Sequence, residues 1–227
     1  MLNLMKLELK KNKLGWYYKG AAIATVVIIF LMWLIEYTDD ESGFADYAEA
    51  ISSAGLFVRA TFAIFAGVLI AKMIINEYNS KTISLLFTYP ISRKKLMFSK
   101  LLIVSGLTFI TIMISNVIVV LGYLAMNSFF HFKPGMVPTD LLIEQGISII
   151  VQAVAATGFS LICLYFGMRK KSVPITIVSS ILVVALNTQN LNGFNISSII
   201  AVPISFGLIG ILIAYLSIRN IESKDIV

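Results

Sequence analysis

A polar stretch, EYNSKTISLLFTYPISRKK at residues 77–95, separates two long apolar runs of the chain. Within it, Ile83, Leu86 and Phe87 follow i, i+3, i+4 spacing and therefore share one face of a helix. Between two membrane-spanning segments, this pattern predicts a short amphipathic helix over 79–88 at the membrane surface. Such a helix fits two roles, docking of a soluble partner or resting on lipid.

The composition of the chain is that of a membrane protein. Of its 227 residues, 58% are hydrophobic and 13% are charged, whereas soluble domains average about 45–50% apolar and 25% charged residues. A helix needs about 20 apolar residues to span a bilayer, and lipid leaves open strands with unpaired backbone groups. We therefore predict an all-α membrane protein with six transmembrane helices at 18–37, 54–75, 101–124, 147–168, 173–187 and 198–218.

Two of these predicted spans have irregular features. The fifth, 173–187, is short, because its residues reach roughly 22 Å along a helix while the hydrocarbon core is about 30 Å thick. The sixth, 198–218, contains Pro203, which predicts a kink.

The positions of Lys and Arg predict the orientation of the spans. Basic residues concentrate in the N-terminal segment, in the 77–95 stretch, at 169–171 and near the C-terminus. The intervening loops are acidic, and among Lys and Arg they carry Lys133 alone. We predict a multi-pass protein of the cell membrane with both termini in the cytoplasm. The net charge of +6 then reflects topology rather than nucleic-acid binding.

The N-terminal residues 1–16 predict a basic helix that lies in the inner interface, with a flexible basic tail as the alternative. Trp16, Tyr17 and Tyr18 follow it, and this position is typical of an aromatic belt at the membrane surface.

Arg59, Asn116 and Gln152 are among the polar residues inside the predicted spans. Arg59 is a costly charge in lipid, for which we consider snorkelling to the outer headgroups, an ion pair with Glu36 or Glu144, or contact with substrate. Asn116 and Gln152 predict hydrogen bonds between helices.

Motifs that the sequence lacks disfavour several functions. No GxxxxGK[ST] stretch occurs, so no P-loop for ATP is predicted in this chain. One histidine, His131, does not build a two-histidine metal site. No Asp or Glu lies in the central third of a predicted span, where proton- or sodium-driven carriers usually need one. We predict no catalytic residue, no metal and no cofactor in this chain.

The polar stretch resembles the first cytoplasmic loop of permeases of the ABC-2 family, the membrane subunits of one class of ATP-binding-cassette transporters. The resemblance covers an acidic residue, a small-Thr or Lys-Thr pair, a Leu pair, a Pro-hydrophobic-Ser-Arg run and a Lys that enters the next helix. These positions are Glu77, Lys81-Thr82, Leu85-Leu86, Pro90-Ile91-Ser92-Arg93 and Lys100. Lys81 stands where many members of the family have Gly.

This resemblance implies a role for each part of the chain. Residues 79–88 would be the cytoplasmic coupling helix, which lies in a groove of an ABC ATPase subunit that holds ATP and Mg²⁺, and residues 1–16 would be the elbow helix. The apolar anchor would be Ile83, Leu86 and Phe87; the polar rim would be Glu77, Lys81 and Arg93; Thr82 and Leu85 would join either. A second permease half, the same chain or a sister permease, would complete the transporter.

The bulky apolar spans favour an amphipathic or hydrophobic substrate. Small permeases with a similar loop resemble exporters and immunity transporters for antimicrobial or toxic peptides, so the resemblance implies export of such a substrate. Two alternatives stay open, an ATP-independent secondary transporter or channel and a non-transporting membrane partner of another permease. An intramembrane enzyme ranks behind both, because the paired His or Glu residues of metal-dependent proteolysis are missing.

Overall fold

The computed structural model of the protein describes residues 2–12, 14–38, 43–44, 46–79, 93–130, 138–187, 190–191, 194–195 and 201–219. Within these ranges the helices are α1 Leu2–Lys11, α2 Gly15–Thr38, α3 Tyr47–Ile70, α4 Asn76–Asn79, α5 Arg93–Phe130, α6 Thr139–Ser160, α7 Ile162–Lys170, α8 Val173–Asn187 and α9 Ala201–Arg219. A π-helical turn, Ala71–Ile75, joins α3 to α4. Two short antiparallel strands, β1 Asn190–Leu191 and β2 Phe194–Asn195, pair Asn190 with Asn195 and Leu191 with Phe194.

Among the described residues, four helical segments are long and apolar enough to cross a membrane: Gly15–Thr38, Tyr47–Ile75, Lys94–Phe130 and Asp140–Lys170. Val173–Ala185 and Ile204–Ser217 are shorter apolar helices. The predicted helical membrane protein is thus confirmed, while six spans, the elbow role of α1 and the cytoplasmic termini stay predictions.

The predicted kink at Pro203 is wrong. α9 begins at Ala201, so the proline lies in the first helical turn. The backbone N–H groups of that turn have no partner within the helix, and a residue without an N–H is tolerated there.

Two apolar cores follow one another along the bundle. One core joins the start of α2 at Tyr17, the π-helical turn at Ile74, the start of α5 at Met97 and α7 at Leu164. The other joins the second half of α2, the first half of α3, the second half of α5 and the last turns of α6. We call the end of the bundle that contains the first core the basic end, since it includes the basic segments at the start of α5 and the end of α7.

Tyr17 contradicts the predicted aromatic belt. Its side chain is fully buried, and its hydroxyl lies 2.9 Å from Thr111 Oγ1 on α5, while Tyr18 is 54% exposed. Farther along the same two helices, Thr25 Oγ1 and Ser115 Oγ also lie 2.9 Å apart. Hydroxyl contacts therefore join α2 to α5, each contributing on the order of 0.6 kcal/mol in a membrane helix bundle.

Glycines allow α6 and α9 to approach each other closely. A Cβ atom on Gly210 would lie 2.1 Å from the Gly158 carbonyl oxygen, and one on Gly158 would lie 2.6 Å from the Gly207 carbonyl oxygen. Both neighbours are backbone atoms, which move only with the whole helix. Small residues at such crossings are typical of helices that associate in lipid.

Replacing Gly210 by alanine is expected to lower the free energy of unfolding by about 1–3 kcal/mol, the usual cost of overpacking. Gly146→Ala on α6 is the matched control, since its added Cβ meets nothing within 4 Å. That control should be neutral or slightly stabilising, because alanine favours helix over glycine by about 1 kcal/mol. Denaturant titration in detergent micelles measures both variants. Equal stability of the two would contradict this packing.

Candidate functional site

The structure describes both ends of the polar stretch, and the predicted docking face lies outside the described residues. That face comprises Lys81, Thr82, Ile83, Leu85, Leu86 and Phe87. Before it, Glu77 lies in α4, and after it Arg93 begins α5. The geometry around these two ends therefore defines the part of the candidate site that the structure shows.

A buried lysine on α5 joins these two ends. Lys100 is 1% exposed, and its Nζ donates to the Met73 carbonyl oxygen at 2.9 Å and to the carboxylate of Glu77. Its Nζ also lies 3.6 Å from Glu8 Oε2 on α1. An ammonium group has three N–H donors, and here three oxygen atoms surround it.

Further contacts attach α1 to the same place. Lys11 Nζ donates to Glu77 Oε1 at 2.8 Å and thereby joins α1 to α4. At the end of α1, Asn12 Nδ2 donates to the Glu8 carbonyl oxygen at 3.0 Å within the same segment. Glu8, Lys11, Glu77 and Lys100, hereafter the charge cluster, balance two carboxylates with two ammonium groups. The cluster holds together α1, the end of the α3–α4 segment and the start of α5.

The π-helical turn shapes the backbone beside the charge cluster. The Asn76 N–H bonds to the Ala71 carbonyl oxygen, five residues back, so this turn is wider than an α-helical turn. Met73, whose carbonyl oxygen accepts from Lys100, lies within the turn. Single π-helical turns inside α-helices occur frequently at functional sites.

On its other side the π-helical turn contacts α7. A Cβ on Gly167 would lie 2.9 Å from Ile75 Cδ1 and 2.4 Å from Thr176 Oγ1 on α8. Gly167 therefore lets α7 approach both the turn and α8. The turn is packed between the charge cluster and two further helices, so a displacement of one is transmitted to the others.

Three members of the charge cluster, Glu8, Lys11 and Lys100, were not predicted as site residues. Glu8 is the first acidic residue of the chain and stands among Lys6, Lys10 and Lys11, a pattern that could have indicated an inward-facing ion pair. Lys100 belongs to the loop pattern given above, although its spacing alone indicates no contact. On α1 the exposure of two side chains is the reverse of what their polarity predicts, since Glu8 is buried and Leu7 is 66% exposed.

Glu77 has partners within the chain, and its predicted rim contact stays a prediction. Its side chain is only 8% exposed and is paired within the chain to Lys100 and Lys11. A rim contact needs an accessible carboxylate, so Glu77 is better placed to hold the base of the stretch than to contact a partner. The side chain of Arg93 lies outside the described residues.

Arg59 lies on α3, apart from the charge cluster. Its Nε donates to the Gly55 carbonyl oxygen at 3.0 Å, one turn earlier in the same helix. Within the described residues neither Glu36 nor Glu144 forms an ion pair with it, so the predicted pair is not formed there. Snorkelling and substrate contact stay predictions for this residue.

The predicted interhelical hydrogen bonds of Asn116 and Gln152 are wrong. Asn116 Nδ2 donates to the Ile112 carbonyl oxygen, and Gln152 Nε2 donates to Ser148 Oγ, both one turn back in the same helix. Each side-chain amide therefore donates to an acceptor in its own helix. Hydroxyl groups supply such contacts between α2 and α5 instead, and sequence spacing does not distinguish them from ordinary helix residues.

Long apolar helices around two cores define this protein as a multi-pass helical membrane protein. Residues 4–187 match the family model described as ABC-2 family transporter protein, and the chain belongs to that family. It is similar to the uncharacterized protein YcbO of Bacillus subtilis (strain 168), with 45% identity over 227 residues that cover 99% of this chain and all of that protein. No solved structure matches the chain.

Membership confirms the predicted resemblance and the class of function. ABC-2 family chains are membrane permeases of ATP-binding-cassette transporters, and they are transport components rather than enzymes. The family implies an ABC ATPase as partner. That ATPase is a subunit separate from the permease, and it hydrolyses the ATP.

Proposed function

We propose that this chain is one membrane half of an ATP-driven exporter and that residues 79–88 form the coupling helix that docks on its ABC ATPase. The observation that supports this proposal is the contact of Lys100 with Glu77 across the polar stretch. Because both ends of the stretch are attached to one another and to α1, a force on the stretch moves α1, α3 and α5 together.

The chemistry of the stretch suits docking on a protein groove. Ile83, Leu86 and Phe87 supply an apolar anchor, and Lys81 and Arg93 supply rim contacts. Thr82 and Leu85 join either set. Glu77 holds the base of the stretch instead of the rim. ATP and Mg²⁺ belong to the ATPase, and this chain carries no cofactor of its own in the proposal.

The proposed mechanism is alternating access driven by rigid-body motion. ATP binding closes the ATPase dimer, which displaces the coupling helix. The charge cluster passes this displacement into the π-helical turn and α5, whose neighbours α7 and α8 pack against the turn. Packed interfaces of this kind shift between discrete arrangements rather than deform continuously.

The proposed substrate is amphipathic or hydrophobic, such as a peptide. The long helices are apolar, which suits such a substrate better than a small ion. A second permease half, either this chain or a sister permease, completes the pathway. The proposed location is the cell membrane with both termini in the cytoplasm, as the Lys and Arg distribution predicts.

Purification of the tagged chain from native membranes in mild detergent tests this function. We expect an ABC ATPase to co-purify in stoichiometric amount, identified by mass spectrometry, and a second permease in the same sample to reveal a heteromeric membrane part. Absence of an ATPase after crosslinking would contradict the proposal. Transport that survives ATP depletion would then favour a secondary carrier or channel.

A further inference from the structure

A groove of about 710 Å³ lies on the flank of the bundle at its basic end, between α5, α6 and α9. Its walls include Phe98 from α5 and Tyr215 from α9, which are 50% and 64% exposed. Lys94 and Lys95 line one end of the groove, in the first turn of α5. The occupant of this groove therefore contacts an apolar wall and a basic end.

Lys94 and Lys95 differ in their contacts. Lys94 has an interaction within the chain, so any occupant has to be compatible with that interaction. Lys95 is exposed and forms no ion pair with the part of the chain that the structure describes. None of the described residues that line the groove is acidic. A segment of the chain itself meets both conditions, because it can interact with Lys94 and still supply a carboxylate to Lys95.

The distribution of acidic residues leaves two candidates for this basic end. Ten of the twelve Asp and Glu residues lie elsewhere, in 36–49, in 140–144 and, as Glu8 and Glu77, in the charge cluster. The first two groups lie in sequence around the end of α2 and at the starts of α3 and α6, whereas the basic end contains the opposite ends of the same helical segments. The other two are Glu222 and Asp225, in the segment 220–227 that directly follows α9.

The spacing of residues on α9 relates these two acidic residues to the groove. Ile211, Ala214 and Tyr215 line the groove and follow i, i+3, i+4 spacing. Continued past the end of α9, the same spacing places Glu222 and Asp225 in register with this face. The chain from 220 to Asp225 can extend over about 20 Å, about twice the 8–10 Å between the axes of packed helices. Both carboxylates can therefore reach across the groove from α9 to α5.

We propose that the segment 220–227 lies across the basic end of this groove, with Glu222 and Asp225 at Lys94 and Lys95. The segment reads NIESKDIV, so isoleucines flank its two acidic residues, and these suit the apolar wall at Phe98. The contact attaches α9 to the start of α5, directly after the polar stretch. It depends on the charges of this one chain and not on ATP-driven transport. A phospholipid and a second chain are the competing occupants.

Cysteine crosslinking in isolated membranes tests the contact and leaves all four charges in place. In a full-length Cys163→Ala background, Ser223→Cys is combined with Phe98→Cys, and copper phenanthroline oxidises thiols that lie close together. We expect a disulfide between positions 98 and 223 of one monomer, identified by mass spectrometry of the joined peptides. Its yield should be at least about fivefold that of the control pair, because a docked segment holds the two thiols at high effective concentration.

The control pair is Ser223→Cys with Tyr18→Cys. Tyr18 is also a half-exposed aromatic residue at the basic end, and it does not line the groove. Equal yields in the two pairs would overturn the proposal, since the segment would then have no preferred position. A disulfide that joins two chains would also overturn it and assign the groove to a second copy.

Charge reversal tests the ion pairs separately. Lys94→Glu/Lys95→Glu should slow disulfide formation about fivefold, as for the loss of two exposed ion pairs. Adding Glu222→Lys/Asp225→Lys exchanges the charges between the two sides and should recover most of the lost rate. An unchanged rate after the reversal would overturn the pairing. A slow rate without recovery in the exchanged chain would overturn it as well and assign the lysines to an anionic lipid.

Arg169→Glu/Lys170→Glu is the matched control for reversed charge. It reverses two exposed cations at the end of α7, at the same end of the bundle, and neither residue lines the groove. Its rate of disulfide formation should stay within about twofold of the original pair, since these charges have no place in the contact. An equal slowing in this control would show general charge repulsion and overturn the proposed position.

Discussion

Replacing Lys100 by methionine is expected to lower the free energy of unfolding by about 3–5 kcal/mol, as for removal of one partner from a buried ion pair. The lysine is 1% exposed and contacts Glu77 and Glu8 together. Without it, two carboxylates face each other in a buried setting, and the Met73 carbonyl oxygen loses its donor. Methionine has a similar length, so the change removes charge with little change in volume.

The control for this experiment is Lys19→Met, which removes an exposed lysine from α2. Its unfolding free energy in detergent micelles should stay within about 0.5 kcal/mol of the original chain, as for ordinary surface substitutions. Adding Glu77→Gln and Glu8→Gln to Lys100→Met should recover part of the loss, since the excess negative charge disappears. A Lys100→Met chain as stable as Lys19→Met would contradict the role of the charge cluster.

Hydropathy predicted the presence of the apolar helices better than the residues at which they begin and end. α3 begins at Tyr47 instead of 54, and α5 covers Arg93–Phe130 instead of 101–124. Polar residues continue the helix beyond the apolar run at both places, because backbone hydrogen bonds do not require apolar side chains. α8 has the predicted bounds, Val173–Asn187, since the proline near its start and the asparagine at its end coincide with the limits of the apolar run.

The charge cluster could not be predicted from the spacing of its members. Lys100 meets Glu77 only because α3 and α5 pack side by side, and it meets Glu8 only because α1 folds back onto α5. The π-helical turn was also missed, since helical periodicity assumes 3.6 residues per turn throughout. Both features depend on tertiary packing, whereas the docking face of the stretch depends on local spacing and stays a prediction.

A single Asp at Leu86 or at Phe87 is expected to abolish binding of the ABC ATPase. In the proposed function these side chains form the apolar anchor of the coupling helix, and truncation of such an anchor costs at least about 2 kcal/mol, or about thirtyfold in affinity. A buried, unpaired carboxylate adds a further cost. Co-purification of the two subunits from membranes, quantified against the amount of inserted permease, measures the effect.

Ser84→Asp separates loss of the docking face from the effect of added charge. It introduces the same carboxylate into the same stretch, and the i, i+3, i+4 spacing of Ile83, Leu86 and Phe87 predicts Ser84 off their shared face. We expect this variant to keep the ATPase, and all three variants to insert equally, because the substitutions lie between the apolar runs that direct insertion. Retention of the ATPase by both Leu86→Asp and Phe87→Asp would refute the assigned face. Loss in all three with normal insertion would show that the segment binds through its charge rather than through an apolar anchor.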